Sequence, residues 1–361
     1  MHQKYFPLLK TTDAELKGYE KLSTSIKEGI LPIFELTRSR RSKKNIDGKL
    51  EKRISQLVDI VGERPFILDL TADIDLSNQE LSEMLSSTKN GHEKWRVFAK
   101  NLKSQGLNII PVIHYNENAP EESIREAQEL EKEFELIAFR SDAKDEDMLG
   151  YVKPILDGLK DPKKLLLILD MGFIPKNGSM ANNNSSIYSI ISSKIDQLIK
   201  LNNKPSKYIP MFSSFPKSVR EYGDSTGEIP WQEVQISEKL CTDFPHEPID
   251  YGDYASVHPD RYPGGGGVWI PRIDFPLEKS CFFHRSRVSS QELTKDAYVR
   301  VAKAVMADSK FMTFQSSESI WGIEEIKIAA NGTPNGKSPS YWIAVRICLH
   351  ITRQYFRCLN V

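Results

Sequence analysis

The chain has 361 residues, with 49 Lys and Arg against 49 Asp and Glu, and is 39% hydrophobic and 27% charged. This is the composition of a globular chain with a large core, and it excludes a disordered or fibrous one. A formal charge of zero argues against a protein that grips nucleic acid non-specifically through surplus Lys and Arg, while leaving room for a local basic patch.

Eight short runs are apolar almost throughout, as parallel strands covered on both faces should be. In chain order they are 5–10 (YFPLLK), 30–37 (ILPIFELT), 65–71 (PFILDLT), 109–115 (IIPVIHY), 135–141 (ELIAFRS), 165–171 (LLLILDM), 208–214 (YIPMFSS) and 249–255 (IDYGDYA). Their starts lie 25 to 44 residues apart, room for one helix and a loop each. Helical spacing fills the gaps, for example at Leu50, Ile54, Leu57, Val58 and Val61, and at Ile187, Ile190, Ile191, Ile195, Leu198 and Ile199. Eight such units predict an α/β chain closed as a (β/α)8 TIM-like barrel, regular or distorted, over residues 5–255. An open doubly wound sheet is the rival, and the lack of a Gly-rich dinucleotide turn after any strand counts against it.

After Tyr254 the texture changes. The segment SVHPDRYPGGGGVWIP reads as a loop, and Asn182–Ser186 as a polar loop tip. Beyond the glycines, 268–275 and 279–285 read as a strand pair. Leu293, Ala297, Val301 and Val305 mark one helix face, and residues 341–356 are aromatic and β-branched. Residues 256–361 are therefore expected to form an α+β extension sharing the barrel's core. Trp321, Tyr341, Trp342, Tyr355 and Phe356, interleaved with Arg346, Arg353 and Arg357, fit either a cap on the barrel or an interface within 310–361 for a homo-oligomer or hetero-complex.

Barrel enzymes carry their chemistry at the C-terminal ends of the strands, and here nearly every run closes on a polar residue. These are Lys10, Glu35, Asp69, His114, Arg140, Asp170, Ser213 with Ser214, and Asp253. Any one of them could be a loop cap, but a set of charges beside Ile and Leu needs partners and points to a shared mouth. Glu35, Asp69, Arg140 and Asp170 are the candidate catalytic residues, the acids as acid/base groups or cation ligands and Arg140 stabilising developing charge. Lys10, His114, Ser214 and Asp253 are the candidate ligand-binding residues, with Arg272 and Arg285 approaching from the extension. The cations suit an anionic small molecule or nucleotide, and the carboxylates are compatible with a divalent cation, although one histidine in position does not make a metal cage. A serine nucleophile is disfavoured because no G-x-S-x-G elbow surrounds Ser213 or Ser214. The basic loop 38–44 (RSRRSKK) would either be solvated or draw an anion towards the acids.

Four cysteines, Cys241, Cys281, Cys348 and Cys358, form no CxxC pair, which fits a reducing compartment. The longest greasy run, 165–169, falls far short of the roughly 20 residues of a membrane span, so a cytoplasmic location is expected.

The order of motifs resembles the beta family of phage and bacterial proteins. It is carried by YFPLLKTTDAELKGYEKL, ILPIFEL, PFILDL, FRS, LLLILDMG, SSFPKSV, YGDYASVHP, WIPRIDF, CFFHRSR, WGIEEIKIAA and YWIAVRICLHIT, from Tyr5 to about Thr352. The resemblance singles out Lys10, Glu15, Glu35, Asp69, Arg140, Asp170, Ser214, Asp253, Arg272, Arg285, Trp321, Gly322, Trp342 and His350. Asp274 and Ser286 depart from the family pattern in the C-terminal hairpin. The resemblance implies no reaction. It does imply a role in phage–host conflict, as anti-phage defence or its phage-encoded counterpart. The residues at the mouth leave two forms of that role open: a hydrolase, such as a phosphoester hydrolase, or lyase acting on a phosphate-bearing substrate, or a non-catalytic binding or sensor subunit recognising a nucleotide or a phage component.

Overall fold

The computed structural model describes residues 3–176, 186–260, 269–313 and 319–360. The GGGG loop and all of the NNNSS tip but Ser186 lie outside them. Eight parallel strands close a barrel: β1 (Tyr5–Lys10), β2 (Ile33–Leu36), β3 (Phe66–Leu70), β4 (Ile109–Ile113), β5 (Ile137–Asp142), β6 (Leu165–Phe173), β7 (Lys207–Ser213) and β9 (Tyr251–Asp253). Although β9 has three residues, it completes the ring by pairing Tyr5 with Tyr251 and Met211 with Gly252.

The two-residue period of the strands separates two cores. Phe6, Leu8, Ile33, Ile67, Ile110, Val112, Ala138, Leu166, Ile168, Ile209 and Met211 fill the inside of the barrel. The alternate residues, among them Tyr5, Leu9, Phe34, Phe66, Leu68, Ile137, Phe139 and Tyr208, pack outward against the helices. Those helices follow the apolar spacing: Glu51–Val61 buries Leu57 and Val61, and Ile187–Leu198 buries Ile191, Ile195 and Leu198. Ser186 caps the latter by accepting from the Ser189 amide.

A strand that the apolar runs do not reveal, β8 (Thr226–Pro230, TGEIP), lies between β7 and β9 in the chain. It joins β10 (Arg272–Pro276) and β11 (Ser280–Arg285) in an antiparallel sheet of order β10-β11-β8. The extension is thus tied to the barrel by a strand from within the barrel's own sequence. Its helix Thr294–Ala307 packs on this sheet through Tyr298, Val301 and Val305. The aromatic C-terminal stretch is a single helix, Pro339–Leu359, capped by Ser338 with Pro339 in the first turn. Ile347, Ile351 and Cys358 belong to the barrel's outer core, while Trp342, Val345 and Leu349 belong to the extension's. Trp342 stacks on Tyr298 at 5.4 Å, and Arg346, Arg353 and Arg357 are buried within the fold. Tyr355 and Phe356 remain half-buried.

Among the described residues the four cysteines are free, and no helix is long and apolar enough to cross a membrane.

Candidate functional site

Each barrel strand places a polar or aromatic residue two positions beyond its last interior apolar one. Lys10 follows Leu8, Glu35 follows Ile33, Asp69 follows Ile67, His114 follows Val112, Arg140 follows Ala138 and Asp170 follows Ile168. These six side chains line one cavity of about 1230 Å³ at the C-terminal mouth. The period that packs the core also aims the polar layer.

Arg140 is the centre of this floor. Its Nη1 donates to Glu35 Oε2 and to Asp69 Oδ2, each at 2.9 Å, and its Nε donates to Asp170 Oδ2 at 2.8 Å. Its Nη2 donates to the Tyr254 hydroxyl at 3.1 Å, and that hydroxyl donates to Asp170 at 2.6 Å. Four strand ends therefore meet on one guanidinium, which fixes the three carboxylates in place. Thr71 donates to Glu35 Oε1 at 2.7 Å, and Lys10 Nζ stands 3.9 Å from the same oxygen while donating to the Pro259 carbonyl. A bulge between Asp170 and Gly172 re-aims β6 at the rim; Gly172 sits at φ 61° and its amide donates to Asp170 Oδ1 at 2.8 Å.

Burial would raise the pKa of Asp69, but the His114 imidazole 3.6 Å from its Oδ1 and the charge and hydrogen bond of Arg140 outweigh it and hold the carboxyl below its usual range. Burial would likewise lower that of His114, yet Asp69 and Glu126 push it up to about 9. Burial and the neighbouring Asp170 keep the Tyr254 hydroxyl protonated well above the ordinary range. The rim above adds Asp73, Asp75, Glu117, Asp142, Asp145 and Asp260 against Lys144. Acids exceed bases around this mouth.

A second cavity, of about 660 Å³, opens between the barrel and the extension, and Lys10 and Asp260 line both. Its charge is reversed: Lys10, Lys217, Arg220, Arg272, Arg285 and Arg346 face Glu15 and Asp260. Arg346 stacks over Phe215 at 3.9 Å, and Asp274 pairs with Arg346 at 2.7 Å and Arg272 at 2.9 Å. Arg285 pairs with Asp224. Burial pushes Glu15 up to about 7 against the pull of Lys10, so near neutrality it carries only part of a charge.

Lys10, Glu35, Asp69, His114, Arg140 and Asp170 thus come together at the mouth, with Arg272 and Arg285 in the adjoining cavity. Asp253 and Ser214 do neither. Both fall one residue off the interior period, and both point into the surrounding structure. Asp253 is fully buried against Tyr5, Tyr251 and His350. Ser214 donates to Pro230 and Glu233. The residue that enters the mouth from β9 is Tyr254, and Ser213 is the on-period residue of β7, donating to the Val257 carbonyl. Strand parity is the signal that identifies Tyr254. In the basic loop, Arg40, Arg41, Lys43 and Lys44 are exposed and none of them lines either cavity.

Glu233, beside Ser214, supplies a pH test of this region. Burial pushes it up to about 8 against the hydrogen bond from Ser214. The folded chain therefore holds its proton above the unfolded value of about 4.3. Its contribution to stability is fully present below that value and is lost as pH rises through about 8. Denaturation midpoints should fall between about pH 5 and 8 in the wild type, and Glu233→Gln should flatten that slope; an unchanged slope would remove Glu233 as its source.

The beta protein family model matches residues 5–356. The chain belongs to the beta protein family. It is 29% identical over 355 residues to protein beta of Enterobacteria phage P4, covering 97% of this chain and 92% of the phage protein. Among solved structures, the spore cortex-lytic enzyme SleL of Bacillus megaterium QM B1551 aligns at a TM-score of 0.31 and 9% identity, over 84% of this chain and 68% of that one. That likeness carries no information on activity. Family membership agrees with the order of motifs in the sequence.

Proposed function

We propose that this beta family protein binds a phosphate-bearing ligand, a nucleotide or a nucleic-acid end, across its two joined cavities and hydrolyses a phosphoester bond. The observation that carries the reading is the division of charge. Six cationic side chains line the smaller cavity and a carboxylate-rich floor lies next to it, with Lys10 shared between them. A phosphate would be held by Arg272, Arg285 and Lys10, whose fixed donors suit its oxygens. The bond to be cleaved would then lie over Glu35, Asp69 and Asp170. With its donors engaged by these acids and Tyr254, Arg140 positions the carboxylates, one of which would take a proton from an attacking water as the ligand enters. The surplus of carboxylates at the mouth fits a divalent cation, which would offset the phosphate charge when bound. The similarity to a phage P4 protein supports placing this activity in phage–host conflict.

A second reading is favoured by one feature. Arg140 and its carboxylates satisfy one another without a ligand, as suits a rigid binding or sensor subunit. A panel of nucleotides and oligonucleotides in Mg²⁺ or Mn²⁺ separates the two. As a hydrolase, the chain should lose turnover in Glu35→Gln and Asp170→Asn while remaining folded. Arg272→Ala should weaken ligand affinity roughly tenfold or more, the scale of one lost charged hydrogen bond. Binding without turnover of any panel member would leave the sensor reading, and no binding at all would end both.

A further inference from the structure

Behind His114 lies a cluster outside the lining of either cavity except for His114 itself. His114 follows β4, Glu126 comes from the helix Pro120–Glu133, and His92 comes from the start of the element Lys89–Ser104. One donor atom from each lies within 4.8 Å of the other two. Glu126 Oε1 is 3.3 Å from His114 Nδ1, and Glu126 Oε2 is 3.9 Å from His92 Nε2. Glu126 is fully buried and His92 is 1% exposed.

An ion pair explains only part of this arrangement. A protonated His114 between Glu126 and Asp69 would satisfy those two acids, but the buried His92 ring has no well-formed hydrogen bond and is held only by a weak backbone contact at Met84 and by Glu126 at 3.9 Å. A polar group so loosely satisfied in the interior is destabilising. The chain nevertheless bends sharply to put it there. Asn90, Gly91 and His92 have φ of 53°, 66° and 49°, a left-handed turn inside the helical element. A Cβ at Gly91 would come within 2.8 Å of the Glu126 amide nitrogen, so the turn presses directly on the helix that supplies the carboxylate.

We propose that His92, His114 and Glu126 bind one divalent transition ion of the zinc class. Two imidazoles and one carboxylate are the donor set such ions prefer. A tetrahedral ion bonded at about 2.0–2.1 Å needs neighbouring donors roughly 3.3–3.4 Å apart; the Glu126–His114 pair already stands at 3.3 Å, and His92, at 3.9 Å from Glu126, has about half an ångström to close on binding. The fourth position falls to water or to the second oxygen of Glu126. Asp69 Oδ1, 3.6 Å from His114 Nε2, stands where an outer carboxylate orients a ligating histidine. Trp95 meets the His114 ring edge-on at 5.3 Å and shields it with an apolar wall. The ion would clamp β4 to two helices and, through His114 and Asp69, set the floor around Arg140. It is independent of the phosphate reading, which can fail without touching it.

The test is a titration of the chelator-treated full chain with Co²⁺ and then Zn²⁺. One equivalent of Co²⁺ should give visible ligand-field bands that one equivalent of Zn²⁺ abolishes, and X-ray absorption of the Zn²⁺ form should count two imidazoles. His92→Gln and Glu126→Gln should each weaken Zn²⁺ binding on the order of a hundredfold, and Asp69→Asn by roughly tenfold. Absence of stoichiometric binding by the folded wild type, or fewer than two imidazoles on the bound ion, overturns the site without recourse to a variant. Undiminished affinity in a folded His92→Gln chain overturns it as well.

Discussion

Replacing Arg140 by methionine should destabilise the fold by about 3 kcal/mol, the lower end of what removing one partner from a buried ion cluster costs. Arg140 is the common partner of Glu35, Asp69 and Asp170 and is itself 20% exposed at the side chain. That partial exposure to the cavity keeps the expected value at the lower end, because water can reach the orphaned acids. Arg140→Lys keeps the charge, but an ammonium cannot span three carboxylates as the guanidinium fork does, so it should recover only part of the loss. Because Asp170 loses its main partner in the first variant, adding Asp170→Asn to Arg140→Met should cost less than the sum of the two changes. Urea denaturation of the four chains measures this. If Arg140→Met were within about 0.5 kcal/mol of wild type, the cluster would be a weak surface network rather than the keystone of the floor.

Much of this floor is legible in the sequence, for a physical reason. A parallel strand buried on both faces shows as an apolar run, and the run must end where the chain reaches solvent. The residue that ends it is therefore visible without a structure, as Lys10, Glu35, Asp69, His114, Arg140 and Asp170 are. What the run does not show is parity. Asp253 and Ser214 close their runs just as visibly, yet lie one position off the interior period and point outward. Counting in twos from the interior residues Ile209 and Met211 reaches Ser213, and from Gly252 reaches Tyr254. Other features leave no periodic trace. β8 carries a single buried apolar residue, Ile229, and exists because β11 offers it an edge. His92 and Glu126 sit on helical elements with ordinary spacing, and only the left-handed turn at Asn90–His92 brings them beside His114. The C-terminal helix has apolar residues on two faces because it serves two cores, so its β-branched and aromatic content gave no clean helical stripe.

Asp253→Ala should be the more damaging of the two substitutions argued here, at about 3–5 kcal/mol. Its carboxylate accepts from the Tyr5 and Tyr251 hydroxyls at 2.9 Å each and from the Ala255 amide at 2.8 Å, and it meets His350 Nε2 at 2.7 Å. Burial would raise its pKa, but the charge of His350 and its hydrogen bond hold it below the usual carboxylate range. The four partners come from β1, β9, the turn after it and the helix Pro339–Leu359, so one side chain joins the closing seam of the barrel to the extension. Removing it strands two tyrosines and a histidine at a site closed to bulk solvent, as His350 is 0% and Asp253 1% exposed. Asp253→Asn keeps an acceptor for one or two of these donors and should cost markedly less. Limited proteolysis should follow the same order, with cleavage between the barrel and the C-terminal helix rising in Asp253→Ala and His350→Ala before the barrel itself unfolds. If both variants unfold in a single transition with no early release of the extension, the seam is not a separable weak point, and barrel and extension form one cooperative unit.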